Sequence, residues 1–353
     1  MSTRIKKICG AFFLFGILVI GSLGVLEYQT RPMDGSGDLV VFVVNEGESS
    51  HDIIVNLRSK GLIRSQFFTK VKMKTMRNSK FYVGTYNLKN NWSTQDLLRH
   101  MTQIDNVNGS KEARVLIKEG SWAKDIAKSI AANTNVTEDE LLNLWNDKSY
   151  IESIMSTYPQ LPKEILDNKN ARVLMEGFLY PDTYNIYRET TAQDVTKKIL
   201  DNGANRYKEL QSQIDTSEYS YYELVTLASI VEYEAHKVED MKLIAGVFFN
   251  RLDIGMKLQS SVTVCYSLYE FNDWKDCESA ENNQFDSPYN TYRYEGLPPG
   301  PILNPSNKAM SAVLNYTDSD YLFFLADVYG DGKVYYSETF EQHNIYKKQY
   351  LGG

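Results

Sequence analysis

The chain has 353 residues, long enough to bury a sizeable core without cross-links, and 42 % hydrophobic with 24 % charged content excludes wholesale disorder. A net charge of −7 and the lack of any long Lys/Arg run argue against a nucleic-acid partner. Three cysteines (Cys9, Cys265, Cys277) and four histidines exclude a disulfide-rich scaffold and form no cluster with zinc-site spacing, so neither metal nor cofactor is expected. Residues 8–26 form an uncharged run of 19 residues. As a helix it spans roughly 28 Å, close to the hydrocarbon thickness of a bilayer. Arg4, Lys6 and Lys7 precede it and Glu27 follows, so the positive-inside rule keeps 1–7 in the cytoplasm and exports the remainder. A cleaved signal peptide would end at a small-x-small site. This run ends in Gly-Val-Leu-Glu-Tyr, which favours an uncleaved anchor. Without those three cations the exported part carries 35 − 45 = −10, which gives it no electrostatic reason to hug anionic lipid.

Residues 27–38 read as a polar, Gly-rich tether. An internal echo follows. Val40–Val44 is strand-like and leads through Asn45-Glu46-Gly47-Glu48-Ser49 into a helical pattern with Ile53, Ile54 and Leu57. Ala113–Ile117 leads likewise through Lys118-Glu119-Gly120-Ser121 into Ile126, Ala127 and Ile130. A weaker copy lies between them, with Thr85–Leu88, then Trp92-Ser93-Thr94, then Leu97 and Leu98. In each copy glycine or a short turn reverses the chain, Ser or Thr caps the helix, and Ile or Leu docks it on the strand. Such units suit a small α/β module over 39–110, either as plain packing units or as glycan binders. A larger mixed domain is expected over 111–349, with a helical segment at 137–170.

Ser220–Ala235 predicts a buried helix that opens on a Ser220/Glu223 capping box. Glu232 lies above Val225, Ala228 and Ser229 on that helix. Partial desolvation there raises a carboxyl pKa, which suits a general acid near neutral pH. Glu234, over Leu227, Ile230 and Val231, is the rival. The plain alternative is that both carboxylates mark a solvated helix end. Downstream, 286–305 holds five of the nine prolines together with Tyr289, Asn290, Thr291 and Tyr292. Prolines and glycines fix such a loop in advance, as a wall for sugar or as a structural strap.

Several segments together resemble the YceG-like (MltG) family of endolytic murein transglycosylases. They are Leu227–Glu232, Val247–Leu252, Leu258-Gln259-Ser260, Ser287–Tyr292 and Gly296–Ile302, with Phe178–Tyr184 and His343-Asn344 in support. The resemblance implies an α+β chain: an N-terminal transmembrane helix, a LysM-like module at 39–110 and a mixed α+β catalytic domain. It implies a lyase that cuts peptidoglycan glycan strands between N-acetylmuramic acid and N-acetylglucosamine and leaves a 1,6-anhydro end. Glu232 would be the catalytic acid and base. Gln259, Ser260, Tyr289, Asn290, Thr291, Tyr292 and Glu234 would contact substrate. The implied partners are glycan strands, the membrane, and cell-wall synthases or division and elongation proteins. A non-catalytic glycan scaffold and a water-using muramidase are the alternatives, the latter with Glu176 or Asp182 as second carboxylate. The family often has Asp-Pro where this chain has Ser261-Val262, which puts an auxiliary role for that Asp in doubt. Cys265 and Cys277 would either pair outside the membrane or stay free.

Overall fold

The computed structural model describes residues 24–350 except 34, 46, 77–79, 108–111, 272 and 327–332. The expected anchor at 8–26 therefore lies almost wholly outside the described residues. Residues 24–30 are helical (α1), and no described helix is long and apolar enough to cross a membrane. The chain divides into two units, Met1–Arg114 and Val115–Gly353.

In the first unit β1 (Leu39–Val44) pairs antiparallel with β2 (Gly84–Lys89), with Phe42 opposite Tyr86. Side chains alternate between the faces of a strand. Phe42 and Val44 are accordingly buried, while Leu39, Val41 and Val43 are exposed. α2 (Ser50–Ser59) and α3 (Gln66–Lys74) connect the two strands, and α4 (Thr94–Met101) follows. Ser49, Ser65 and Ser93 cap these helices by accepting the N–H of Asp52, Phe68 and Asp96. Ile53, Ile54, Leu57, Leu97 and Leu98 then meet Phe42, Tyr86 and Leu88 in one core.

In the second unit β3 (Glu112–Ile117), which begins just before the boundary, pairs with β4 (Asp182–Tyr187). The segment between them carries α5 (Ala123–Ala131), α6 (Glu138–Asn146), α7 (Lys148–Met155) and α8 (Glu164–Asp167). α9 (Ala192–Ile214) leads to α10 (Tyr221–Glu234), which opens on the Ser220/Glu223 capping box. Every side chain from Leu224 to Val231 is buried, as expected of a helix that is apolar on all sides. α11 (Val238–Asp253) and α14 (Asn307–Leu314) pack against α10 and against each other. α12 (Ser261–Leu268) and α13 (Trp274–Cys277) are joined by a Cys265–Cys277 disulfide, which resolves the two readings of those thiols. A hairpin of β5 (Phe323–Ala326) and β6 (Val334–Ser337) with α15 (Phe340–Tyr350) completes the unit.

The second copy of the echo departs from the first in its cap. The expected cap was Ser121, yet α5 starts after Trp122, and no side chain of its own turn caps it. The Ala123 N–H instead donates to the buried Glu176 carboxylate, 2.9 Å away. A carboxylate from a distant loop thus does the work of a local serine.

Candidate active site

α10 ends in Glu232-Tyr233-Glu234. Residues two apart on a helix point in nearly opposite directions, so the two carboxylates have separate surroundings. Glu232 is half-buried, and its Oε2 accepts the N–H of Ser306, the N-cap of α14, at 2.8 Å. Burial raises its pKa, and the Ser306 bonds work against that rise. Gly120 lies beside it with φ +75°; a Cβ there would come within 3.0 Å of the Tyr233 ring and 3.5 Å of Glu232 Cγ. The Glu119-Gly120 turn needs glycine both for its backbone angle and for this approach.

Glu234 sits in a different network. Its Oε1 accepts the Ser260 hydroxyl at 2.6 Å. Burial pushes its pKa up to about 7, opposed by the Ser260 bond; the Glu278 charge adds to the rise and Arg251 opposes it. The Ser260 N–H donates to Thr291 Oγ1 at 3.1 Å, and the Gln259 N–H donates to the Thr291 carbonyl at 3.2 Å. Thr263 and Thr291 hydroxyls meet at 2.8 Å. Gln259 holds φ +52°, a left-handed angle unusual for a non-glycine residue, and its side chain is exposed. Tyr292 is half-buried; burial raises its pKa, and the Glu234 charge raises it further. Arg251 is buried and donates to the carbonyls of Leu258 and Leu322, each at 2.6 Å, which pins the 257–260 segment.

Of the residues singled out in sequence, Ser260 therefore bonds Glu234 directly, Tyr292 lies close enough to feel its charge, Thr291 joins through Ser260, and Gln259 joins through its backbone bond to Thr291. Tyr289 and Asn290 turn inward. Asn290 Nδ2 donates to the carbonyls of Asn283 and Phe285, and its Oδ1 accepts the Tyr292 N–H. The Tyr289 hydroxyl accepts from Asn168. Ser261, at the place of the family Asp, gives its hydroxyl to Glu278 at 3.0 Å, so an acidic group reaches this spot from elsewhere in the chain. Of the second-carboxylate candidates, Glu176 is bound by Ala123 and Asn304, and Asp182 by Asn202.

The proline-rich loop acts chiefly as a strap. A Cβ on Gly300 would strike the Tyr222 hydroxyl and the Asn168 amide, and the Ile302 N–H donates to Ser229 of α10 at 3.0 Å. The loop then delivers Asn304, which bonds the Ser121 carbonyl and Glu176, and Ser306, which bonds Glu232. Sequence reading missed both residues. The N-cap signal of Ser306 was legible, but its carboxylate partner lies 74 residues away in the chain.

Two cavities share Glu119. One, about 440 Å³, is lined by Gly120, Trp122, Lys124, Tyr233, Tyr269 and Phe271 among others. The second, about 360 Å³, includes Tyr180, Asp182, Arg206, Ser306 and Asn307. Both fall in the size range of ligand sites. Among the described residues, no group of three or more His, Cys, Asp or Glu side chains is placed to hold a metal ion.

The sequence profile of the YceG-like family matches residues 42–349. The chain belongs to this family. It is 32 % identical over 360 residues to a Streptococcus pneumoniae (strain D39) protein named endolytic murein transglycosylase; the match covers 97 % of this chain and 65 % of that one. A Bacillus subtilis (strain 168) protein of the same name is 28 % identical over 349 residues, covering 98 % of this chain and 91 % of its own. This YceG-like chain thus spans 65 % of the pneumococcal relative's length. The crystal structure of a putative yceG-like protein from Listeria monocytogenes aligns with TM-score 0.62 at 31 % identity, over 88 % of this chain and 99 % of that one.

Proposed function

We propose that this YceG-like chain is an endolytic lytic transglycosylase of peptidoglycan. The relatives' names support the reaction class. The observation that carries the chemistry is the half-buried Glu234 carboxyl, whose pKa burial pushes up to about 7, bonded to Ser260 and close to Tyr292. A general acid works best when its pKa lies near the operating pH. Glu234 gives its proton to the glycosidic oxygen as the bond from N-acetylmuramic acid C1 breaks. It then takes the C6 hydroxyl proton as that oxygen bonds C1. The muramic residue ends as a 1,6-anhydro ring, no water is consumed, and the carboxyl group returns to its starting state. One carboxyl group suffices, unlike the paired arrangement of most glycosidases.

Glu232 remains the second reading for the same role. Its support is its place beside both cavities and the Leu227–Glu232 motif. Product analysis by mass spectrometry of digested glycan tests both. Glu234→Gln is expected to abolish 1,6-anhydro ends while the protein stays folded, and Glu232→Gln to retain them. The reverse pattern transfers the role to Glu232. Reducing ends in place of anhydro ends establish a muramidase, and no product from the unaltered chain establishes a scaffold.

The remaining parts fit this reading. Residues 8–26 serve as a single-pass anchor with the N-terminus inside, so that catalysis occurs outside the membrane, where new strands emerge. The Cys265–Cys277 disulfide supports an oxidising compartment. The β-α-α-β order of the first unit supports a LysM-like glycan module, and synthases or division proteins are the natural protein partners.

A further inference from the structure

The charge of −10 outside the anchor hides two parts of opposite sign. Residues 27–114 carry 13 Lys and Arg against 9 Asp and Glu, which is 13 − 9 = +4. Residues 115–353 carry 22 against 36, which is 22 − 36 = −14. The basic part follows the expected anchor directly, and its residues 53–95 hold nine Lys and Arg with no Asp or Glu at all. We propose that α3 of the first unit is a membrane-surface helix, which lays Phe67, Lys70 and Lys74 on a bilayer containing anionic phospholipid; the proposal rests on residues 8–26 being the anchor.

Helix geometry defines the face. Residues three, four and seven apart share one side of a helix, so Phe67, Lys70, Val71 and Lys74 form a stripe along α3. Thr69 and Met73 lie on the inner side: Thr69 is buried, and Met73 packs against the core of the unit. The stripe therefore faces outward. Phe67 is 68 % exposed, Lys74 is exposed, and Lys70 and Val71 are half-buried. An apolar ring flanked by lysines suits the boundary between acyl chains and headgroups, because the ring enters the apolar layer while each ammonium stays at the charged surface. A soluble anionic polymer would reward the lysines and leave the ring without a partner.

The chain leaving the anchor is held against the start of this helix. Arg64 precedes Ser65, the N-cap of α3. Its guanidinium stands 5.6 Å from the ring centre of Tyr28 in α1, and it donates to the Pro32 carbonyl at 3.0 Å. Tyr28 lies two residues beyond the uncharged run. An anchored chain keeps such a face at a high effective concentration near the bilayer, so one ring and a few cations suffice to dock it.

The test reconstitutes the full chain in phosphatidylcholine vesicles with about 30 % phosphatidylglycerol, the acyl chains brominated so that they quench nearby indoles. Phe67→Trp supplies the reporter, read as the difference from the unaltered chain. The bilayer is expected to quench at least about half of the added emission, and at least about twofold less in phosphatidylcholine alone. Adding Lys70→Gln with Lys74→Gln is expected to lower the quenching about twofold, and Lys70→Arg with Lys74→Arg to preserve it. Val41→Trp, on the sheet face turned away from the helices, is the control and stays unquenched. An unquenched Phe67→Trp in anionic vesicles overturns the proposal, as does equal quenching at Val41→Trp. Equal losses in the Gln and Arg pairs overturn recognition by charge. Release of the unaltered chain from vesicles by alkaline carbonate overturns the anchor alone, since anionic vesicles added to the free chain still decide whether Phe67→Trp meets the bilayer.

Discussion

At the scale of single residues, the end of α10 places two carboxylates in different surroundings with one residue between them. Burial raises the Glu232 pKa, and the bond from the Ser306 N–H opposes that rise. Glu234 is half-buried too, and burial pushes its pKa up to about 7 against the Ser260 hydroxyl bond. That bond stabilises the carboxylate, so Ser260→Ala raises the Glu234 pKa further. A first step that needs protonated Glu234 loses rate as pH rises through that pKa. The alkaline limb of kcat/KM is therefore expected near pH 7 in the unaltered chain and at higher pH in Ser260→Ala. A limb that stays in place, measured from pH 5 to 9, removes Glu234 from the proton transfer.

At the scale of elements, the Cys265–Cys277 bond ties α12 to α13. It fixes Tyr269 and Phe271 of the cavity lining on one side and Glu278, which bonds Ser261, on the other. A loop of this length is worth about 3 kcal/mol in the chain-entropy account. Reduction, or Cys265→Ser with Cys277→Ser, is expected to lower Tm by several degrees and to raise KM for long strands. A KM that does not move separates the loop from substrate binding. Elements governed by local rules were legible in the sequence: β1, β2, α2, α4 and α10 follow their apolar periodicity and their serine caps. The start of α5 was not, because Glu176 replaces the local cap from 53 residues away. The candidate site divided in the same way. The motifs gave Ser260, Thr291 and both glutamates, but which glutamate they surround depends on how α10 is turned. Tyr289 and Asn290 carry sugar-binding chemistry in sequence, yet burial uses their polar atoms inside the protein.

At the scale of the whole molecule, the second unit carries acidic groups that fold in their protonated form, and this sets how its stability depends on pH. Glu176 is 2 % exposed. Burial pushes its pKa up to about 8, with the Ala123 N–H and the Asn304 amide opposing. Its Oε1 takes those two bonds, while its Oε2 has no hydrogen-bond partner among the described residues. In the unfolded chain a Glu titrates near 4.3. Between that value and about 8 the folded state binds more protons than the unfolded state, so stability is full below the window and falls as pH rises through it. One such group contributes a slope of about 1.4 kcal/mol per pH unit inside the window. Glu234 adds to the fall up to about pH 7. Thermal unfolding is therefore expected at lower temperature at pH 8 than at pH 5. Glu176→Gln is expected to flatten that dependence, because a glutamine still accepts from Ala123 and Asn304 without charging. A Glu176→Gln chain with the full slope retained would place the titrating group elsewhere. An unaltered chain whose Tm rises between pH 5 and 8 would mean that Glu176 folds charged.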